Sequence, residues 1–188
     1  VHIPTHILSG WCLASVLPLN KRERLFCMLA ASLPDFDGLG ILVSEELYWD
    51  YHHYAGHNVF FGLLLSAAFA AFSARKGLAF IACLACFHLH LAMDFIGSGQ
   101  GWLIHYFWPA DDRGFKTDIG WPLDSWQNRV AFGLLLLATI AIGYWRRITP
   151  LELLAPRIDR WLTGTPEGGN TNPHESDESA RMRDSSAS

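Results

Sequence analysis

The chain has 188 residues, a formal net charge of −4 and 51% hydrophobic residues, enough for one domain with a substantial core. No basic face is evident, which argues against a nucleic-acid partner. The four cysteines, Cys12, Cys27, Cys83 and Cys86, all fall in apolar helical context and imply no disulfide framework.

Thr5 is positioned to cap a first helix that runs to about Leu17, where Pro18 ends it. A second helix runs from about Arg22 to Leu33 and stops before Pro34. Both are short for a full crossing, so they form a shallow hairpin or two short, tilted passes. No cleavable signal pattern precedes them, and insertion is expected to rely on the apolar segments themselves. Three longer runs read as membrane spans: residues 59–74 and 130–145, sixteen residues each without a charge, and residues 77–96, whose ionisable groups apart from thiols are His88, His90 and Asp94. A span needs about 17–25 residues, so the two shorter runs qualify only with their flanks.

The expected fold is therefore all-α, an integral membrane helical bundle with about five apolar helices, three of them spans. A soluble bundle is the alternative, but its helices would need the polar faces that these runs lack. Cys83-Leu84-Ala85-Cys86 has CxxC spacing but lies in mid-helix without a turn or a second pair, so it reads as core packing. Residues 149–162 mix Leu, Ile and Trp with charged groups, as in an interfacial helix, here broken near Pro156. From residue 163 onward there is almost no large apolar side chain, and disorder is expected. The domain plan is a membrane-embedded unit over 1–147, an interfacial segment over 148–162 and a polar tail over 163–188.

Orientation follows from the basic residues. Lys21, Arg22, Arg24, Arg75, Lys76, Arg146 and Arg147 fall on one side if every helix crosses. Residues 34–58 contain no Lys or Arg, and 97–128 contain only Arg113 and Lys116. The basic side, with the C-terminal tail, is expected to be cytoplasmic. That places His6, Asp35, Asp37, His52, His53, His57, His90 and Asp94 together on the opposite, non-cytoplasmic side.

Imidazole and carboxylate are the ligand set of zinc and other borderline divalent metals, and they are costly against hydrocarbon. His90 and Asp94 are four apart on a predicted helix and share a face. His88 points about 120° away from Asp94. Pro34-Asp35-Phe36-Asp37-Gly38 offers two carboxylates in a tight turn, and His53 and His57 lead into the next apolar run. Each pair alone has an ordinary explanation in capping or packing. Their joint occurrence on one membrane face does not.

These residues resemble the pattern of the YdjM-type membrane-bound metal-dependent hydrolases, described as inner-membrane-associated. Thr5-His6 with Gly10, Leu33-Pro34-Asp35-Phe36-Asp37, His53 with His57-Asn58, His90 with Asp94, and Gly101 with Phe107-Trp108-Pro109 match it in order and spacing over roughly residues 3–145. Two positions depart: the usual Arg after the first His is Tyr54, and the usual Thr before the second is Gly56. If that Arg binds an anionic substrate, Arg113 or Lys116 would have to supply the contact. His52 is an extra candidate that could exchange roles with His53.

The family is distantly similar to the zinc-dependent phospholipase C and single-strand nuclease group, helical enzymes with clustered metals. The resemblance implies His90 and Asp94 as metal ligands, with Asp94 a bridge, the set being completed by His6, by Asp35 or Asp37 and by His53 or His57, around one or two ions, zinc by analogy. That group's second His-rich motif is missing, and His105 is the one later candidate. Asp35 or Asp37, if unligated, would be the catalytic general base. The implied activity is hydrolysis of an ester, a phosphoester by analogy, by a metal-activated water in the bacterial inner membrane. Its substrate would be a small molecule or a lipid. The alternative is a non-catalytic membrane protein that binds or transports metal, which would place polar groups through the membrane depth.

Overall fold

The computed structural model describes residues 1–165, without the side chains of residues 49 and 50. All but the first residues of the expected tail, and His174 with it, lie outside the described residues. Among the described residues eight helical elements follow one another: α1 (Ile3–Ser15), α2 (Lys21–Ala30), a 3₁₀ segment (Leu33–Leu42), α3 (Glu45–Tyr51), α4 (Val59–Ala71), α5 (Lys76–Gly97), α6 (Trp126–Arg146) and α7 (Pro156–Thr163). Among the described residues the one β-type pairing is an isolated antiparallel bridge, Ile104 with Phe115. The fold is all-α.

Local chemistry explains the boundaries. Thr5 does not cap α1: the helix starts two residues earlier with Pro4 in its first turn, and Thr5 is buried within it. α2 starts at a capping box, in which Asn20 accepts from the Arg22 and Glu23 amides and Glu23 accepts from the Asn20 amide. The other Glu23 oxygen accepts from the Arg75 amide, 3.0 Å away, and ties the start of α5 to the start of α2. Beyond Ala30 the chain does not make a single tight turn. Pro34 lacks an amide hydrogen, Asp35 and Asp37 favour turns, and Gly38 and Gly40 weaken the α form, so ten residues wind as 3₁₀.

α5 and α6, with 22 and 21 residues, are long and apolar enough to cross a membrane. α2 and the 3₁₀ segment pass the same test together, bent by 50° at their junction, as a broken span or a re-entrant pair. α4 has 13 residues, a rise of about 20 Å against a hydrocarbon core of about 30 Å. The run expected to span over 59–74 therefore yields a shorter helix, because Ser73 donates to the Phe69 carbonyl and the chain turns before Lys76. By length and composition the described residues hold two candidate spans, or three with the bent pair, against three spans among about five apolar helices expected.

Within the unit Val1–Thr139, the core is built from small side chains: Ala14, Ala30, Ala31, Ala82, Cys27, Cys83 and Cys86. Small residues let helix backbones approach closely without hydrophobic drive from lipid. At Gly10 a Cβ would lie 2.7 Å from the Ala31 Cβ, so α1 and α2 touch there through backbone. All four cysteines are free; Cys27, Cys83 and Cys86 are buried in this core, with 3.9 Å between the Cys27 and Cys83 sulfurs. The second unit, starting at Ile140, carries α7, which begins rather than breaks at Pro156. Asp159 of α7 accepts from the amide and hydroxyl of Thr149.

Candidate metal centre

Three segments converge on the last two turns of α5. The i, i+4 spacing sets His90 Nε2 2.9 Å from Asp94 Oδ2. α1 brings His6, whose Nε2 lies 3.2 Å from Asp94 Oδ1 and whose ring is 4.0 Å from that of His90. The 3₁₀ segment brings Asp35, with Oδ1 3.7 Å from His90 Nε2 and 3.9 Å from His57 Nε2. His57 comes from the loop between α3 and α4; its Nε2 is 3.1 Å from His90 Nε2 and 3.5 Å from Asp94 Oδ2. His6, His57, His90 and Asp94 are buried.

The tautomers follow from what lies behind the rings. His90 Nδ1 sits 2.8 Å from the Ala31 carbonyl, so it carries the hydrogen and donates. His57 Nδ1 sits 2.9 Å from Asp37 Oδ2 and does the same. Both Nε2 atoms then present lone pairs, to one another and to the carboxylates of Asp35 and Asp94. Asp35 Oδ2, Asp94 Oδ2, His6 Nδ1 and His53 Nδ1 are buried without a hydrogen-bond partner. With both rings neutral, acceptors would face acceptors at these distances, so either a proton on His57 or a metal ion must lie among them.

Asp37 lies behind the cluster. Its Oδ1 meets His52 Nδ1 at 2.7 Å, and its Oδ2 accepts from the His53 and Gly56 amides at 3.1 and 3.0 Å as well as from His57. One carboxylate thus shapes the whole loop. His53 adopts a left-handed backbone, φ 72°, which costs about 1–2 kcal/mol for a residue with a Cβ, and its amide bond to Asp37 helps to hold it there. At Gly56 a Cβ would lie 2.1 Å from the Pro34 carbonyl oxygen, so this loop packs on the 3₁₀ segment only with glycine at that position. Asn58 completes the loop: it caps α4 at the Phe61 amide and donates to the carbonyls of Tyr54 and Ala55.

Two sets of side chains could hold a metal ion: His6, Asp35, His90 and Asp94, and His52, His53 and His57. His57 Nε2 reaches toward the first set as well. The neighbour distances suit the about 3.3 Å between donors arranged tetrahedrally at zinc-like bond lengths of about 2.0–2.1 Å, so these residues fit a small divalent ion. The electrostatics agree. Burial opposes protonation of His57, but hydrogen bonds to Asp37 and Asp94 outweigh it and raise the pKa to about 9 without a metal. Burial, with His57 and His52 beside it, pushes His53 the other way, well below 6.5.

The remaining candidates lie elsewhere. His88 is bonded to the Tyr106 hydroxyl and the Leu84 carbonyl. His105 stacks on Tyr54 with ring centroids 3.8 Å apart, and its amide donates to the His53 carbonyl, so it supports the loop from behind. Tyr54 is used in that stack. Arg113 is exposed and pairs with Asp111 at 2.8 Å. Neither Arg113 nor Lys116 lines the cavity of about 460 Å³ beside the site, whose wall includes Asp35, Tyr48, His52, His53, Asp94 and Trp102. Tyr48 and Trp102 carried no advance signal, since an aromatic residue in a loop is common and only the folded chain sets both rings against His52. The Ala31 carbonyl, a backbone group, leaves no trace in residue identity at all.

The chain matches the YdjM inner membrane protein family over residues 1–158 and belongs to it. No curated protein and no solved structure matches it.

Proposed function

We propose that this inner-membrane protein is a divalent-metal-dependent hydrolase acting on an ester, with a phosphoester as the leading class. The observation that carries the reading is the convergence of the His57 and His90 Nε2 atoms, 3.1 Å apart and flanked by Asp35 and Asp94. His6, His57, His90 and Asp94 would hold the ion, with Asp35 as a further ligand. A dication bound there would supply Lewis acidity, lowering the pKa of water and neutralising charge on an ester oxygen. Asp35 would be the group to hold a proton, at Oδ2, because that oxygen is unengaged and the residue lines the cavity. Asp37 is committed to His52, His57 and two backbone amides, and its role is to fix the tautomer and direction of His57. His53 lines the cavity and, with His52, offers a second set of imidazoles.

Two observations favour hydrolysis over metal transport. A cavity opens at the ligands, large enough for a substrate. Deeper along α5, Cys83, Cys86 and Phe87 are buried in packing and do not continue a polar path. A site on the non-cytoplasmic face is supported by the basic residues Arg75, Lys76, Arg146 and Arg147, which lie at the start of α5 and the end of α6.

The test is metal analysis of detergent-purified wild type beside Asp94→Ala, followed by turnover of bis(p-nitrophenyl) phosphate. We expect stoichiometric metal and metal-dependent turnover in the wild type, and loss of both in the variant. Equal metal content in the two proteins would remove the site; bound metal with no turnover of any ester would favour the binding reading.

A further inference from the structure

We infer that the ester handled at this centre belongs to a bilayer lipid, whose head group enters the cavity while an acyl chain lies along its apolar wall. The inference rests on the hydrolytic reading for the fate of the head group, but its grounds are separate. The first is the wall. Ile3, Pro4, Leu39, Ile41, Leu123 and Trp102 line the same cavity as Asp35 and Asp94, and no Lys or Arg does. A small, multiply charged anion would meet two carboxylates and no Lys or Arg there, and the one ammonium on the wall, that of Val1, is already paired with Asp94. An amphiphile with one charge at its head would meet the ion at one end and hydrocarbon at the other.

The second ground is where the wall leads. The 3₁₀ segment continues out of the cavity as an exposed apolar run, with Phe36 57%, Leu39 49%, Ile41 49%, Leu42 80% and Val43 77% accessible. An exposed run of this kind marks a surface that water does not normally cover. It belongs to the half of the bent pair that, together with α2, is long and apolar enough to lie in a membrane. In a chain that crosses the bilayer, lipid is the neighbour such a run would meet. The third ground is size. About 460 Å³ suits a head group and the first methylenes but not a two-chain lipid, so the chain must leave over Leu39 and Ile41. A lateral entrance of this kind spares the substrate from leaving the bilayer.

Two measurements on the full-length protein test this. The first places wild type in nanodiscs of phosphatidylethanolamine and phosphatidylglycerol, a fraction of the latter carrying a diazirine on one acyl chain, and maps the photolabel by mass spectrometry. Label on Trp102 and Leu123 inside the cavity, as well as on Leu39 and Ile41, is expected. Label confined to Leu42, Val43 and the lipid-facing residues of α6 would overturn the proposal. The second compares methyl and dodecyl p-nitrophenyl phosphodiesters with the zinc-loaded protein. Since each buried methylene is worth about fourfold, kcat/KM should be at least tenfold higher for the dodecyl ester. Equal values would overturn the lipid proposal and leave hydrolysis standing. Cavity labelling with no turnover of either ester would uphold the lipid site and remove the hydrolytic reading.

Discussion

His57 is where the chemistry of single residues is most exposed. Its Nδ1 rests on Asp37 and its Nε2 faces His90 and Asp94, so one ring joins the supporting carboxylate to the ligand cluster. Asp37→Asn keeps the size of that support and removes its charge. Loss of such a partner typically weakens metal affinity 10–100-fold, and competitive titration with a chromophoric chelator should show a drop of this size with helical content unchanged. The raised pKa of His57 makes a second prediction. Protonated His57 stabilises the metal-free fold fully below about pH 6.5, and that contribution is lost as the pH rises through about 9. Metal must displace this proton at neutral pH, so binding should release about one proton at pH 7.5. Calorimetry in two buffers of different ionisation enthalpy would measure it, and identical binding enthalpies would contradict the assigned protonation.

At the scale of elements, the site depends on short irregular segments braced by regular ones. The loop between α3 and α4 is pinned by Asp37, capped by Asn58 and backed by Tyr54 and His105. Its closest contact is Gly56 against the Pro34 carbonyl. Gly56→Thr should therefore harm this chain. Overpacking costs about 1–3 kcal/mol, and the prediction is a lower melting temperature in detergent together with weaker metal binding. A more stable variant would show that the loop sits differently. Much of this was readable one element at a time. The i, i+4 spacing of His90 and Asp94 implied a shared helical face, and the structure sets their ligand atoms 2.9 Å apart. The 3₁₀ geometry of residues 33–42 was not readable as a ten-residue element, because Pro and Gly announce a break without saying how long it continues. The cap of α2 at Asn20 was missed although Asn20 and Glu23 spell out its capping box.

For the whole molecule, the three expected spans become two candidate spans, or three with the bent pair, and the difference lies in the length of α4 rather than in its hydropathy. α4 is apolar throughout but 13 residues long, and it packs beside α5 instead of matching its span. Orientation remains a matter of charge: reporter fusions at the loop between α5 and α6 should read as periplasmic, and fusions just after Arg147 as cytoplasmic. The reverse pattern would move the site to the cytoplasmic face. By itself, the sequence determined the helical class, the membrane setting and the identity of the polar residues, because hydropathy and side-chain chemistry are properties of residues read locally. Only the tertiary structure decided that Asp35 faces the cluster while Asp37 stands behind it, and that His52 and His53 group with His57 as a second set. Asp35 and Asp37 are chemically identical and two residues apart. What separates them is the backbone each meets, and that depends on contacts between segments roughly twenty to sixty residues apart in the chain.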